Sequence, residues 1–198
     1  MQVKSKKRQI EEKVLTIALE LAKKGEGALF VIGDKVKYEL LIKQKIGHFN
    51  IFDSGGTKLL RSIATIDGAV IIDKKGNITA YGAMIKGARA FPGYGTRHAA
   101  ALAASNNGNT AIACSEEEKK VKIFKKGKFI MQLDALQKNI EKEIPKVASL
   151  LESLGAGFLG AVGATALVPA LGIAFLPGVI VFGASYYAIS RIINHVRK

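Results

Sequence analysis

The sequence predicts an α/β fold: a mixed central β-sheet flanked by helices, followed by a C-terminal apolar helical segment of membrane character. Three observations carry this. Over residues 1–145, short Val/Ile-rich runs bounded by Gly, Asn and Asp alternate with amphipathic or alanine-rich stretches. Two pairs of runs are joined by tight turns, Lys74-Lys75-Gly76-Asn77 and Lys125-Lys126-Gly127, so some neighbours are antiparallel and the sheet is mixed. From Ser153 to Ser190 there is no charged residue, far more than a cytosolic core element needs. The chain thus divides into a domain over 1–145 and a membrane anchor over 146–198.

Residues 5–24 read as a helix because Ile10, Val14, Ile17, Ala18 and Leu21 fall on one stripe, and Gly25 and Gly27 end it. Strands follow at 28–33 and 37–43, a loop at 50–57, and a short helix at 57–64 with Leu59, Leu60 and Ile63 on one side. The run 69–73 is the central strand, with 78–83 returning as its hairpin partner. Residues 87–95, with Phe91, Pro92 and Tyr94, form a loop suited to a close backbone approach to a ligand. Arg97–Ser105 is an alanine-rich helix that small side chains allow to lie close on the sheet. Strand 110–114, the hairpin 120–124/128–132 and a helix from Asp134 to about Ile144 complete the domain, and Pro145 marks a break. Beyond it, a helical hairpin over 154–190 is expected to turn near Pro169 or Pro177, with basic residues on both flanks.

Composition narrows the function. The formal net charge of +14 favours polyanionic partners. Lysines are dispersed and Phe91 and Tyr94 share one loop, which does not make the basic, aromatic-studded stripe of a nucleic-acid binder, so no nucleic acid is expected. The single cysteine, Cys114, excludes an internal disulfide and reads as packed inside a strand. His48 and His195 stand apart from any metal-ligating cluster, and no Gly-x-x-x-x-Gly-Lys-Ser/Thr loop is present. A charged helical N-terminus without a signal-peptide core places the first domain in the cytoplasm.

Two stretches carry chemistry. In Ile66-Asp67-Gly68-Ala69, an acid and a glycine sit at the mouth of the central strand. In Gly93-Tyr94-Gly95-Thr96-Arg97-His98, a glycine-rich turn delivers three polar side chains to a helix start, where free N–H groups and a partial positive charge favour an anion. Arg97 adds a planar fork that matches phosphate, and His98 a further donor. Carboxylate and hydroxyl oxygens suit Mg²⁺ or Mn²⁺. Taken singly, Asp67 reads as a turn residue, His98 as a surface histidine and Glu116-Glu117-Glu118 as a solvated turn; for Glu118 that reading stands.

Taken together and in this order, the stretches resemble the catalytic domain of diadenylate cyclases, whose signatures are Asp-Gly-Ala and Gly-Thr-Arg-His-Arg. A third element, a strand ending in Ser-Glu-Glu, matches Ala113-Cys114-Ser115-Glu116-Glu117, and Gly27–Gly33 looks like the first core strand. The resemblance covers roughly residues 25–132, with Ala99 in place of the second Arg, which removes one cation from the phosphate cluster. It implies the fold of that domain and the condensation of two ATP into cyclic di-AMP with loss of two pyrophosphates. It implies Asp67, Arg97 and His98 as catalytic residues, and Gly68, Ala69, Gly95, Thr96, Arg97, His98 and Ser115 around the nucleotide. A divalent metal, Mg²⁺ or Mn²⁺, falls to Asp67 with Glu116 or Glu117. The implied partners are ATP and a second catalytic domain met face to face in a homodimer or larger homo-oligomer. Membrane lipid through 154–190 and a cell-membrane location with the catalytic domain on the cytoplasmic side complete the expectation. The rival expectation is a nucleotide or cyclic-dinucleotide sensor with weak or no catalysis.

Overall fold

The computed structural model describes residues 4–41, 43–44, 47, 49–89, 95–155 and 178–181. Eight strands form one mixed sheet in the order β2-β4-β3-β1-β5-β6-β7-β8. They are β1 (Ala28–Ile32), β2 (Tyr38–Leu40), β3 (Ala69–Ile72), β4 (Ile78–Ile85), β5 (Thr110–Cys114), β6 (Lys120–Lys125), β7 (Lys128–Asp134) and β8 (Val179–Val181). β1 and β3 pair in parallel, Phe30 opposite Val70, and the other pairings are antiparallel. The helices are α1 (Lys6–Lys24), α2 (Gly56–Ala64), α3 (Thr96–Ala104) and α4 (Ile144–Gly155).

Period-two alternation along the strands splits the core into two layers. Phe30, Ile32, Val70, Ile72, Ile112 and Ile123 face α1, α2 and α4. Leu29, Val31, Ala69, Ile71, Ala111 and Ala113 face α3. The α3 layer is built on alanine at Ala101, Ala104, Ala111 and Ala113, so this helix lies close on the sheet, as its sequence predicts. On α1, Ser5 caps the start by accepting from the Arg8 N–H at 3.2 Å, and Gly25 at φ 75° ends it. Its buried stripe also takes in Leu15, Leu19 and Ala22.

Several expectations are corrected. The strand expected over 37–43 is confined to Tyr38–Leu40, an edge strand with a half-buried or exposed pattern. No helix starts at Asp134. It ends β7, and its Oδ1 accepts from the Leu136 N–H at 2.9 Å, an Asx turn in place of a helix cap. Pro145, read as a break, lies in the first turn of α4, where its missing N–H is harmless. As a result α4 crosses the expected boundary at 145/146 and buries Val147, Leu150 and Leu151 in the main core. Under it lies a buried network: the Lys125 ammonium donates to the Leu151 carbonyl and stands 3.9 Å from Glu11 Oε1, which accepts from Thr110 Oγ1 at 2.9 Å.

The C-terminal helical hairpin expected over 154–190 falls mostly outside the described residues, and one described stretch of it is not helical. Val179–Val181 is a strand on the β7 edge, with Leu133 opposite Val179. Three β-branched residues after Pro177-Gly178 suit that place. The chain leaves the described domain at Gly155 and is back on it at Gly178, where the Asp134 N–H donates to the Gly178 carbonyl at 2.7 Å. Among the described residues no helix is long and apolar enough to cross a membrane. Residues 156–177 and 182–198 lie outside the described residues, as do His48, His195 and, of the loop expected over 87–95, residues 90–94 with Phe91, Pro92 and Tyr94.

Candidate active site

The site forms where the start of α3 meets the ends of β3 and β5. Asp67 and Gly68 make the turn into β3, and the Gly68 N–H donates to Asp67 Oδ1 at 3.0 Å, which fixes the exposed carboxylate. Gly68 stands at φ 100°, and a Cβ there would lie 2.6 Å from the Gly82 carbonyl carbon of β4. Only glycine fits this crossing of two backbones. At the start of α3, Gly95 is extended and no side chain caps the helix, so Thr96 and Arg97 begin it with open amides.

These elements enclose two compartments that share Thr96 and Arg97. The first, about 330 Å³, is lined by Leu29, Ala69, Ala83 and Ile85 with Asp67 and Gly68 at its edge. Ala99 faces this apolar side together with Ala100. The second, about 260 Å³, is polar, with Gly95, His98, Ser115, Glu116, Glu117, Glu118 and Lys122 around it. Every site residue expected from sequence thus lines one compartment or the other. Of the expected metal set, Asp67 lines the first compartment and Glu116 and Glu117 the second. Among the described residues no three His, Cys, Asp or Glu side chains form a metal-sized group.

The two glutamates separate in the structure. Glu116 is paired with the Arg97 guanidinium, whereas Glu117 has no ion pair among the described residues. Gly27, read from sequence as a helix stop, makes room for this pair: a Cβ there would run into both Arg97 Nη1 and Glu116 Oε1. Glu118, read as a solvated turn residue, is ion-paired to Lys122 and lies 3.4 Å from Lys120. Partial burial works against its charge, but the two ammonium groups hold its carboxyl below the usual range. Lys122 and Gly27 went unrecognised as site residues. The signal for Lys122 was the alternation Lys120-Val121-Lys122-Ile123-Phe124, which turns it toward α3.

His98 is half-buried and meets Phe124 edge-on with ring centroids 6.1 Å apart, and Phe124 stacks on Phe129 at 5.1 Å. Burial, with the positive charge of Lys122 added and Glu118 opposing, pushes its pKa down to about 4. The ring is therefore neutral at pH 7. Cys114 is buried on β5 and its Sγ donates to the Ala18 carbonyl at 3.4 Å. Burial pushes this thiol up to about 12, which removes it from nucleophilic chemistry.

Residues 17–129, more than half of the chain, match the family described as DisA bacterial checkpoint controller nucleotide-binding, and the chain belongs to that family. It is similar to a diadenylate cyclase of Methanocaldococcus jannaschii, 33% identical over 65% of this chain and 46% of that protein. A diadenylate cyclase of Haloferax volcanii is also 33% identical, over 61% of this chain and 51% of that one. The chain spans about half the length of these curated relatives. A crystal structure of DacA from Staphylococcus aureus superposes with a TM-score of 0.49 at 21% identity, over 75% of this chain and 97% of that chain.

Proposed function

We propose that the chain is a diadenylate cyclase that condenses two ATP into cyclic di-3′,5′-AMP and releases two pyrophosphates. The observation that carries this reading is the junction at Thr96 and Arg97 of an apolar compartment edged by Asp67 with a polar one entered by the α3 N-terminus. Adenine fits among Leu29, Ala69, Ala83 and Ile85. The ribose lies against Asp67-Gly68, where the lack of a side chain at Gly68 lets the backbone approach. The triphosphate runs past Thr96 and Arg97 toward His98 and Ser115. Family membership and the similarity to two diadenylate cyclases support the same substrate.

In the reaction, the 3′ oxygen of one ATP attacks the α-phosphorus of the other in line. The bond from that phosphorus to the bridging oxygen breaks, and pyrophosphate leaves with the electron pair. Two such steps close the ring. Asp67 orients the 3′ hydroxyl and accepts its proton, while the α3 amides and Arg97 stabilise the charge that develops on the phosphoryl oxygens. An exposed carboxylate at the cleft edge suits a cation held by one or two carboxylates and the substrate's own phosphates. Mg²⁺ or Mn²⁺ so bound by Asp67 would neutralise phosphate charge and acidify the 3′ hydroxyl.

The described residues of a chain form one such cleft for one ATP, so the reaction calls for two catalytic domains face to face. Turnover per molecule that falls on dilution supports that arrangement, and turnover independent of dilution removes it. Attachment to a cell membrane with the catalytic domain in the cytoplasm is a separate proposal. It rests on the uncharged stretches 156–177 and 182–190, which lie outside the described residues, and recovery of the full-length chain in the soluble fraction would remove it. The cyclase reading is tested by incubating the full-length chain with ATP and Mn²⁺, then Mg²⁺, and identifying products by mass. Cyclic di-AMP and pyrophosphate in a 1:2 ratio are expected. ATP binding without product would leave a nucleotide sensor.

A further inference from the structure

Lys122 stands on β6 directly opposite Ala113 of β5, on the sheet face that α3 covers. Its neighbours on that face, Ala111, Ala113 and Phe124, are buried and apolar. Lys122 itself is only 5% exposed. A long apolar side chain would fill this place without desolvating a charge, so packing gives no reason for lysine. Lys122 instead lines the polar compartment together with His98, Ser115 and Arg97. Glu118 holds it there, engaging one of its three N–H donors, and Lys120 flanks the same carboxylate. Of the other acids, Glu116 is held by Arg97, so each cation has its own carboxylate.

We propose that Lys122 is a substrate-binding residue that grips the β- and γ-phosphates of the nucleotide, with Glu118 as the positioning residue that aims it. The identity of the anion rests on the cyclase reading. The α-phosphate lies at the shared Thr96–Arg97 wall, and the rest of the triphosphate extends into the polar compartment. There Arg97 grips as a planar fork from α3 and Lys122 as a point charge from β6. Lys122 therefore acts on phosphates beyond the first, and makes the site prefer triphosphate over monophosphate and retain pyrophosphate.

Isothermal titration of the full-length chain with ATP, AMP and inorganic pyrophosphate in Mg²⁺ buffer tests this. Lys122→Met is expected to weaken ATP and pyrophosphate about tenfold and to leave AMP within about twofold, while Lys122→Arg restores most of the loss. Circular dichroism and the thermal midpoint check the fold. Should the Met variant not fold, Lys122→Gln is expected to show the same selective loss. Unchanged ATP and pyrophosphate affinity in a folded variant overturns the proposal while the cyclase reading stands. So does an equal loss for ATP and AMP accompanied by a lowered midpoint, since that marks a purely structural Lys122–Glu118 tie. A wild-type chain that binds neither ATP nor pyrophosphate overturns the cyclase reading as well.

Discussion

Gly27→Ala isolates the geometry of the site from the stability of the fold. Gly27 is not among the positive-φ glycines, so alanine is compatible with its backbone. The added methyl would nevertheless come within 3.0 Å of Arg97 Nη1 and Glu116 Oε1, closer than real Cβ contacts come. The ion pair must move off Gly27 by about 1 Å, and a displacement of that size at a reacting centre costs about 10²-fold in rate, or about 2.7 kcal/mol of transition-state stabilisation. Stability should change little, because a methyl at a compatible position stabilises by about 0.4–1 kcal/mol through the unfolded chain, which offsets the local crowding. Initial rates of cyclic di-AMP formation, read beside thermal unfolding, separate the two effects. A Gly27→Ala chain within threefold of wild-type rate would refute the placement of Arg97 and Glu116 over Gly27.

Three further expectations follow from burial. A fragment ending at Pro145 loses Val147, Leu150 and Leu151 and the carbonyl that receives Lys125. Three buried aliphatic side chains amount to roughly 5–9 kcal/mol, comparable with a whole domain's stability, so its amide NMR spectrum should be collapsed; a well-dispersed spectrum contradicts the α4 packing. Because the His98 pKa is lowered to about 4, the unfolded chain binds a proton between about pH 6.5 and 4 that the folded chain refuses. Stability at His98 is thus fully present above pH 6.5 and declines as pH falls through that window. The urea midpoint of wild type should fall relative to that of His98→Gln as pH drops from 6.5 to 4, and an NMR titration giving His98 a pKa near 6.5 would contradict this. Cys114 should resist iodoacetamide in the native chain at pH 8 and react only after denaturation, whereas rapid native labelling would refute its burial.

Sequence reveals those parts of this protein where local chemistry and tertiary environment agree. β1, β3 and β5 are buried on both faces and read as unbroken apolar runs. The α3 start was legible because a glycine-rich turn before alanines gives a helix onset, and Asp67-Gly68 because it stands at the mouth of an apolar run, in order with the later stretches. Asp134 misled because the same carboxylate that caps a helix also closes an Asx turn, and the choice is made by β7 continuing to that residue. β8 was hidden inside an uncharged run whose period cannot separate a buried strand from a buried helix; the open β7 edge decides it. Lys122 and Gly27 were missed because their roles depend on partners far along the chain, on α3 and beyond β5.

In the proposed reaction Asp67 stands at the 3′ hydroxyl of a bound ATP. Asp67→Asn keeps size and shape at the turn into β3 and removes the negative charge, so it separates binding from chemistry. The decisive measurement is a paired one on the full-length chains in Mn²⁺: ATP affinity by titration and product formation by mass. ATP affinity is expected within about tenfold of wild type and the rate lower by about 10³-fold or more, the scale of a lost positioning and proton-accepting group. Cyclic di-AMP formed by Asp67→Asn at close to the wild-type rate would contradict it.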